Sequence, residues 1–122
     1  MVRALFDTNI LIDFLYNRAE ARSELARFDD RAISMVTWME VMVGASGDTQ
    51  AQTRAFLASF ALVDLDEDVA ERAVGLRRRY RMKLPDAVVW ASAQSQGRLL
   101  VTRNIKDFPA DDPSVRIPYQ VS

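Results

Sequence analysis

Four short apolar runs constrain this fold more than any other feature. Residues 2–6 (VRALF), 32–36 (AISMV), 61–65 (ALVDL) and 98–102 (RLLVT) each have the length of a buried strand, and helical spacing fills the stretches between them. After the first run, Thr8 and Asn9 offer capping oxygens, and Ile10, Leu11, Phe14 and Leu15 follow at helical intervals. A second helix is expected over 19–29. Thr37 is expected to cap a helix over 37–45 that stops at Gly44 and Gly47, and Asp48 to cap the one after it. From Asp66 onward, Val69, Ala73, Leu76 and Tyr80 share one helical face. Pro85 opens a further helix that Gly97 ends. The tail around VRIPYQV is expected to add a short edge strand limited by Pro118. Strands alternating with helices imply βαβ units. The expected fold is therefore α/β: a three-layer α/β/α sandwich around a central parallel sheet. No repeat or linker divides residues 1–122, and a chain of that length builds one core, so a single domain is expected.

Two absences narrow the chemistry. The sequence has no cysteine and no histidine. Thiolate nucleophiles, zinc–thiolate sites and any Ser-His-Asp or Cys-His arrangement within the chain are excluded. Catalysis has to lean on carboxylates, hydroxyls, lysine, arginine or tyrosine. Carboxylates in number favour a hard cation such as Mg²⁺ or Mn²⁺. No apolar run approaches the roughly 18 residues of a membrane span. The N-terminus also lacks a signal-peptide pattern, so a cytoplasmic location without membrane association is expected.

The net charge of −1 gives no whole-molecule attraction to nucleic acid. Of 16 basic residues only Lys83 and Lys106 are lysines. That arginine excess suits bidentate phosphate contacts, and a GC-rich genome explains it equally well.

In open parallel sheets, ligands bind beyond the carboxyl ends of the strands, which filters the 17 acidic residues. Asp7 directly follows the first strand, Glu40 lies one turn into the helix after the second, Asp86 opens the helix leading to the fourth, and Asp107 follows the fourth. Each alone has a plain reading. Asp7 can be an N-cap, Asp86 an anion at a helix N-terminus, and Asp107 a turn residue. Glu40 is harder to dismiss, because Trp38, Met39, Val41, Met42 and Val43 surround it in sequence. Asp13 is expected to face solvent, opposite Leu11 and Leu15. Converging carboxylates repel by roughly 4 kcal/mol per pair at about 4 Å and an effective dielectric near 20. A divalent cation or protonation relieves that repulsion. A cation there would make metal-dependent hydrolysis of a phosphodiester the natural chemistry. The run RRRYRMK (77–83) places Arg78, Arg79, Arg81 and Lys83 just before Asp86 as candidate phosphate contacts, with Arg103 as a further one. Tyr80 within that run reads better as core than as a base-stacking platform.

The segments LFDTNILIDFL, TWMEVMVGA and KLPDAVVWASAQSQGRLLVTRNIKDF resemble PIN domains, most closely the VapC-type toxins of bacterial toxin–antitoxin operons. The resemblance covers essentially the whole chain. It implies a Rossmann-like sandwich and an Mg²⁺- or Mn²⁺-dependent endoribonuclease. By motif, Asp7, Glu40 and Asp86 match the acidic triad that holds metal and activates water, and Asp107 matches a fourth, more variable acid. Many relatives carry an aspartate where Asn104 stands, which leaves open whether Asn104 or Asp107 completes the site. Thr8, Asn9, Thr102 and Asn104 resemble residues that orient the carboxylates. The resemblance also implies a homodimer and a small protein antitoxin lying over an apolar groove, for which Leu11, Leu15, Tyr16, Trp38 and Met42 are candidates. Three alternatives compete: a PIN ribonuclease of RNA processing without an antitoxin, a receiver-like Mg²⁺-binding signalling domain phosphorylated at Asp64, and a non-catalytic binding module. FDTN lacks the adjacent acids of a receiver, and no Gly-rich phosphate loop supports nucleotide binding.

Overall fold

The computed structural model describes residues 2–121. In chain order the elements are β1 (Arg3–Phe6), α1 (Thr8–Leu15), α2 (Ala19–Ala26), β2 (Asp30–Ser34), α3 (Met35–Val43), α4 (Gln50–Leu57), β3 (Ala61–Val63), α5 (Glu67–Tyr80), α6 (Leu84–Ser95), β4 (Leu99–Val101) and β5 (Val115–Arg116). The strands form one five-stranded sheet in the order β3-β2-β1-β4-β5. Every pairing is parallel, and Leu5 at the centre lies between Ala32 and Leu100. Among the described residues no helix is long and apolar enough to cross a membrane.

Successive strand side chains point to opposite faces, so each strand feeds two cores. Leu5, Ala32, Val63 and Leu100 pack with α5 and α6 around Trp90. Ala4, Phe6, Ile33 and Val101 pack on the other face with Ile10, Leu11, Leu25 and Leu57. This is the expected three-layer sandwich. β3 sits at the edge beside β2. A receiver has the order 2-1-3-4-5, with its third strand against the first. Asp64 therefore follows an edge strand, away from the end of β1.

The helix ends differ from expectation where a nearby hydroxyl or carboxylate competes for the cap. Asp7 itself caps α1, accepting from the Thr8 N–H at 2.8 Å. Ser34 caps α3, accepting from the Thr37 N–H at 3.1 Å, so the helix begins two residues before Thr37. Thr49, not Asp48, precedes α4. Asp66 caps α5 as expected. Gly97 takes φ +61° beyond α6. Its N–H reaches the Gln94 carbonyl and that of Arg98 the Ala93 carbonyl, which is a Schellman stop. Val69, Ala73 and Leu76 are buried, while Tyr80 lies at the margin with its ring 5.2 Å from that of Trp90.

Asp13 contradicts its expected solvent face. It is buried and accepts hydrogen bonds from Arg103 and Tyr119. Leu100 is fully buried between β1 and β5. Leu100→Ala should cost about 2–5 kcal/mol in urea unfolding through the cavity it leaves. A cost below about 1 kcal/mol would contradict this packing.

Candidate active site

Because the sheet is parallel, β1, β2 and β4 deliver their carboxyl ends to one edge. The Asp7 backbone N–H extends the ladder by donating to the Val101 carbonyl at 2.9 Å. Asp7 as a whole is 5% exposed. Besides the Thr8 amide, it accepts from the Thr102 hydroxyl at 2.8 Å and the Asn9 amide at 3.2 Å. Thr102 and Asn9 also contact each other at 3.3 Å. Burial pushes the Asp7 carboxyl up to about 6, against the pull of the Thr102 and Thr8 hydrogen bonds and with help from the charges of Asp86 and Glu40.

Glu40 surfaces one turn into α3 and accepts from the Thr8 hydroxyl at 2.6 Å. Thr8 Oγ1 also lies 2.9 Å from Thr37 Oγ1. Its single proton serves the carboxylate or Thr37, one at a time. Thr37 is fully buried and stands 3.3 Å from Ser34 Oγ. The relay Ser34–Thr37–Thr8–Glu40 thus ties the ends of β1 and β2 together. Sequence reasoning used Thr37 only as a cap and passed over Ser34; hydroxyls at the carboxyl end of a strand were the available signal.

Asp86 lies in the first turn of α6, beside Pro85. Burial raises its carboxyl, as do the charges of Asp107 and Glu40, while Lys83 opposes them. Asp107 accepts from the Asn104 amide at 2.9 Å, and its own backbone N–H donates to Asn104 Oδ1 at 3.2 Å. Asn104 in turn donates its backbone N–H to Thr102 Oγ1 at 3.1 Å. Asn104 and Asp107 are therefore partners, with the amide side chain holding the carboxylate.

Asp7 feels the charges of Asp86 and Glu40, and Asp86 those of Asp107 and Glu40; the donor set is entirely oxygen, which suits a hard cation. Among the described residues no three acidic, histidine or cysteine side chains stand close enough to hold an ion as they are. The arrangement is an open acidic cluster and not a closed ligand set.

The remaining nominees divide. Arg78 and Arg81 border a concavity at the α5–α6 junction, with Arg77 and Leu84. Arg79 lies over the Tyr80 ring at 5.2 Å, and Lys83 neighbours Asp86. Arg103 spends its guanidinium on Asp13 at 2.6 and 3.2 Å. Leu15 and Tyr16 line an apolar groove of about 410 Å³ with Ile12, Val41 and Ala45. Leu11 does not face that groove: it is fully buried in the core, because helical spacing turns it toward β1 and β2. Trp38 and Met42 are partly buried against the same core, and Arg54 covers the Trp38 ring at 5.4 Å.

A raised carboxyl makes stability depend on pH. The unfolded Asp7 titrates near 3.9 and the folded one at about 6. Between those values the folded chain binds more protons, so its stability falls as pH rises through the window. Without divalent ions, Asp7→Asn should exceed the wild type in unfolding free energy at pH 7.5 by up to about 3 kcal/mol, with the gap closing toward pH 4. Urea titrations in EDTA check this. A less stable Asn variant at pH 7.5 would contradict the burial cost.

Comparison with known proteins agrees with this geometry. The family model described as PIN domain matches residues 4–110. Ribonuclease VapC10 of Mycobacterium tuberculosis is 34% identical over 113 residues, covering 86% of this chain and 85% of that protein. Among solved structures, a toxin–antitoxin complex from Klebsiella pneumoniae is similar at 49% identity and a TM-score of 0.91, covering 97% of this chain and 99% of that one. FitAcB from Neisseria gonorrhoeae shares the fold at 21% identity and a TM-score of 0.81, covering 97% of this chain and 99% of that one. A family-model match over residues 4–110 leaves one conclusion: this chain belongs to the PIN-domain family.

Proposed function

We propose that this chain is the toxin of a toxin–antitoxin pair, an endoribonuclease that hydrolyses RNA phosphodiester bonds with a divalent cation held by Asp7, Glu40, Asp86 and Asp107. The observation that carries the reading is Asp7: a carboxylate buried at the end of the central strand, raised to about 6, and pressed by two further acids. The 49% identity to the Klebsiella toxin–antitoxin chain and the 34% identity to a ribonuclease support the same assignment.

When bound, Mg²⁺ or Mn²⁺ supplies Lewis-acid activation of the phosphodiester and of the attacking water. The chain's residues do the rest. Thr102, Asn9 and the Thr8 amide fix both oxygens of Asp7, so its lone pairs are oriented before any ligand arrives. Thr8 holds Glu40 through Oε1, while Oε2 takes no hydrogen bond among the described residues. Glu40 is an exposed residue, and that unbonded oxygen would be the one to accept a proton from water. Asn104 aims Asp107, which makes Asp107 the fourth acid and Asn104 its support. Lys83, Arg78 and Arg81 neutralise RNA phosphates on the Asp86 side, with Arg79 at their margin.

The groove floored by Ile12 and Val41 and edged by Leu15 and Tyr16 receives an apolar segment of the antitoxin. It is lined by α1 and α3, the helices that also carry Thr8 and Glu40, so an occupant extending along them approaches the acids. A homodimer and a cytoplasmic location complete this reading.

Wild-type chain should cleave structured RNA with Mg²⁺ or Mn²⁺. EDTA, Asp7→Asn or Asp86→Asn should each lower the rate by about 100-fold or more. Cleavage that survives all three would contradict the site. Expression should arrest growth, and co-expression of the neighbouring gene product should relieve the arrest. Tyr16→Ala should weaken that relief while leaving cleavage intact. Arrest-free expression of an active ribonuclease would instead favour an RNA-processing enzyme.

A further inference from the structure

The segment between β4 and β5 carries Thr102, Asn104 and Asp107, yet almost nothing in the sheet holds it. Beyond the Thr102 N–H, which pairs with Arg116, four successive anchors are side chains. The Arg103 N–H donates to Asn9 Oδ1 at 3.3 Å, and the Asn104 N–H to Thr102 Oγ1 at 3.1 Å. The amides of Lys106 and Asp107 both donate to Asn104 Oδ1. Three successive side chains also take three different partners. Thr102 faces Asp7, Arg103 faces Asp13, and Asn104 faces Asp107. The direction taken by Arg103 therefore fixes the direction of both neighbours.

Arg103 is held firmly. Its Nε and Nη2 donate side by side to the two oxygens of Asp13, and the Tyr119 hydroxyl from the C-terminal tail donates to the same carboxylate at 2.8 Å. Asp13 stands one turn after Asn9 on α1, so one helix face grips the segment twice, through the Arg103 backbone and through its side chain. Arg18 adds charge 4.0 Å away. A buried ion pair adds little to stability compared with apolar packing of the same volume. Its bidentate geometry, by contrast, fixes direction.

Resting on the ribonuclease reading above, we propose that Asp13, Arg103 and Tyr119 are positioning residues: a clamp between α1 and the C-terminal tail that sets the segment carrying Thr102, Asn104 and Asp107 against Asp7. Arg103 then serves the site by orientation and not by gripping RNA. Small displacements of reacting groups cost up to about 100-fold in rate, which gives the clamp its effect.

Two measurements on the full-length chain test this. The first is steady-state cleavage of one structured RNA by wild type, Asp13→Asn, Arg103→Lys and the double variant. Each should lose about 10- to 100-fold in kcat with KM within about twofold of wild type, and the double should be no worse than the singles. Arg103→Lys keeps the charge and loses the fork, so it separates orientation from attraction. The second is amide hydrogen exchange in the metal-free chain. Residues 103, 104, 106 and 107 should exchange about tenfold faster in all three variants.

A raised KM with unchanged kcat in Arg103→Lys, beside a normal Asp13→Asn, would overturn the clamp and make Arg103 an RNA contact. So would normal kcat with only a lower unfolding midpoint. If Asp13→Asn does not fold, Tyr119→Phe reads the same effect, as a smaller kcat loss at wild-type KM; an unchanged kcat there also counts against the clamp. If the wild type cleaves no RNA, the ribonuclease reading fails and exchange alone decides, with unchanged protection overturning the clamp.

Discussion

A carboxylate set into the core at the end of the central strand governs the rest of this structure. Asp7 is buried, and burying an ionised group without compensation is strongly unfavourable. Its donors are the Thr8 amide, the Asn9 side chain and the Thr102 hydroxyl. Those three come from both chain segments that leave β1 and β4, so satisfying one charge fixes the relative position of two strand ends. The compensation is incomplete, which is why the carboxyl remains raised.

The same logic extends outward in shells. Thr8 turns from its backbone bond with Asp7 to a side-chain bond with Glu40, and Thr37 and Ser34 stand behind it. On the other side Thr102 links Asp7 to Asn104, and Asn104 links onward to Asp107. Asp7, Glu40 and Asp107 are each held by a neutral hydroxyl or amide, and Asp86 joins them from the first turn of α6. Such an arrangement gives a site that is strained electrostatically and ordered geometrically, the combination expected of a place prepared for a hard cation.

Much of this was legible in the sequence, because it depends on local order. Strand and helix alternated visibly, and the parallel sheet that follows sends Asp7, Glu40 and Asp86 to one edge by topology alone. What escaped was long-range. Asp13 reads as a solvent-facing helix residue until Arg103 and Tyr119 are known to reach it from 90 and 106 residues away. Leu11 and Ile12 are neighbours in an apolar run, and no periodicity in so short a helix decides which of them faces the groove and which the core. Residue type alone left Asn104 and Asp107 as alternatives, and only the fold shows that they bond to each other.

The central claim is that Asp7 is a ligand kept partly protonated by its own burial, and a calorimetric titration of Mn²⁺ tests it most directly. Run at pH 6 in buffers of different ionisation enthalpy, it reports how many protons leave per ion bound. The account predicts release of at least roughly half a proton at pH 6, falling toward none by pH 8, and reduced by about that half in Asp7→Asn, where the raised Asp86 carboxyl still contributes. Binding at pH 6 with no proton released, or release undiminished in the Asn variant, would contradict it.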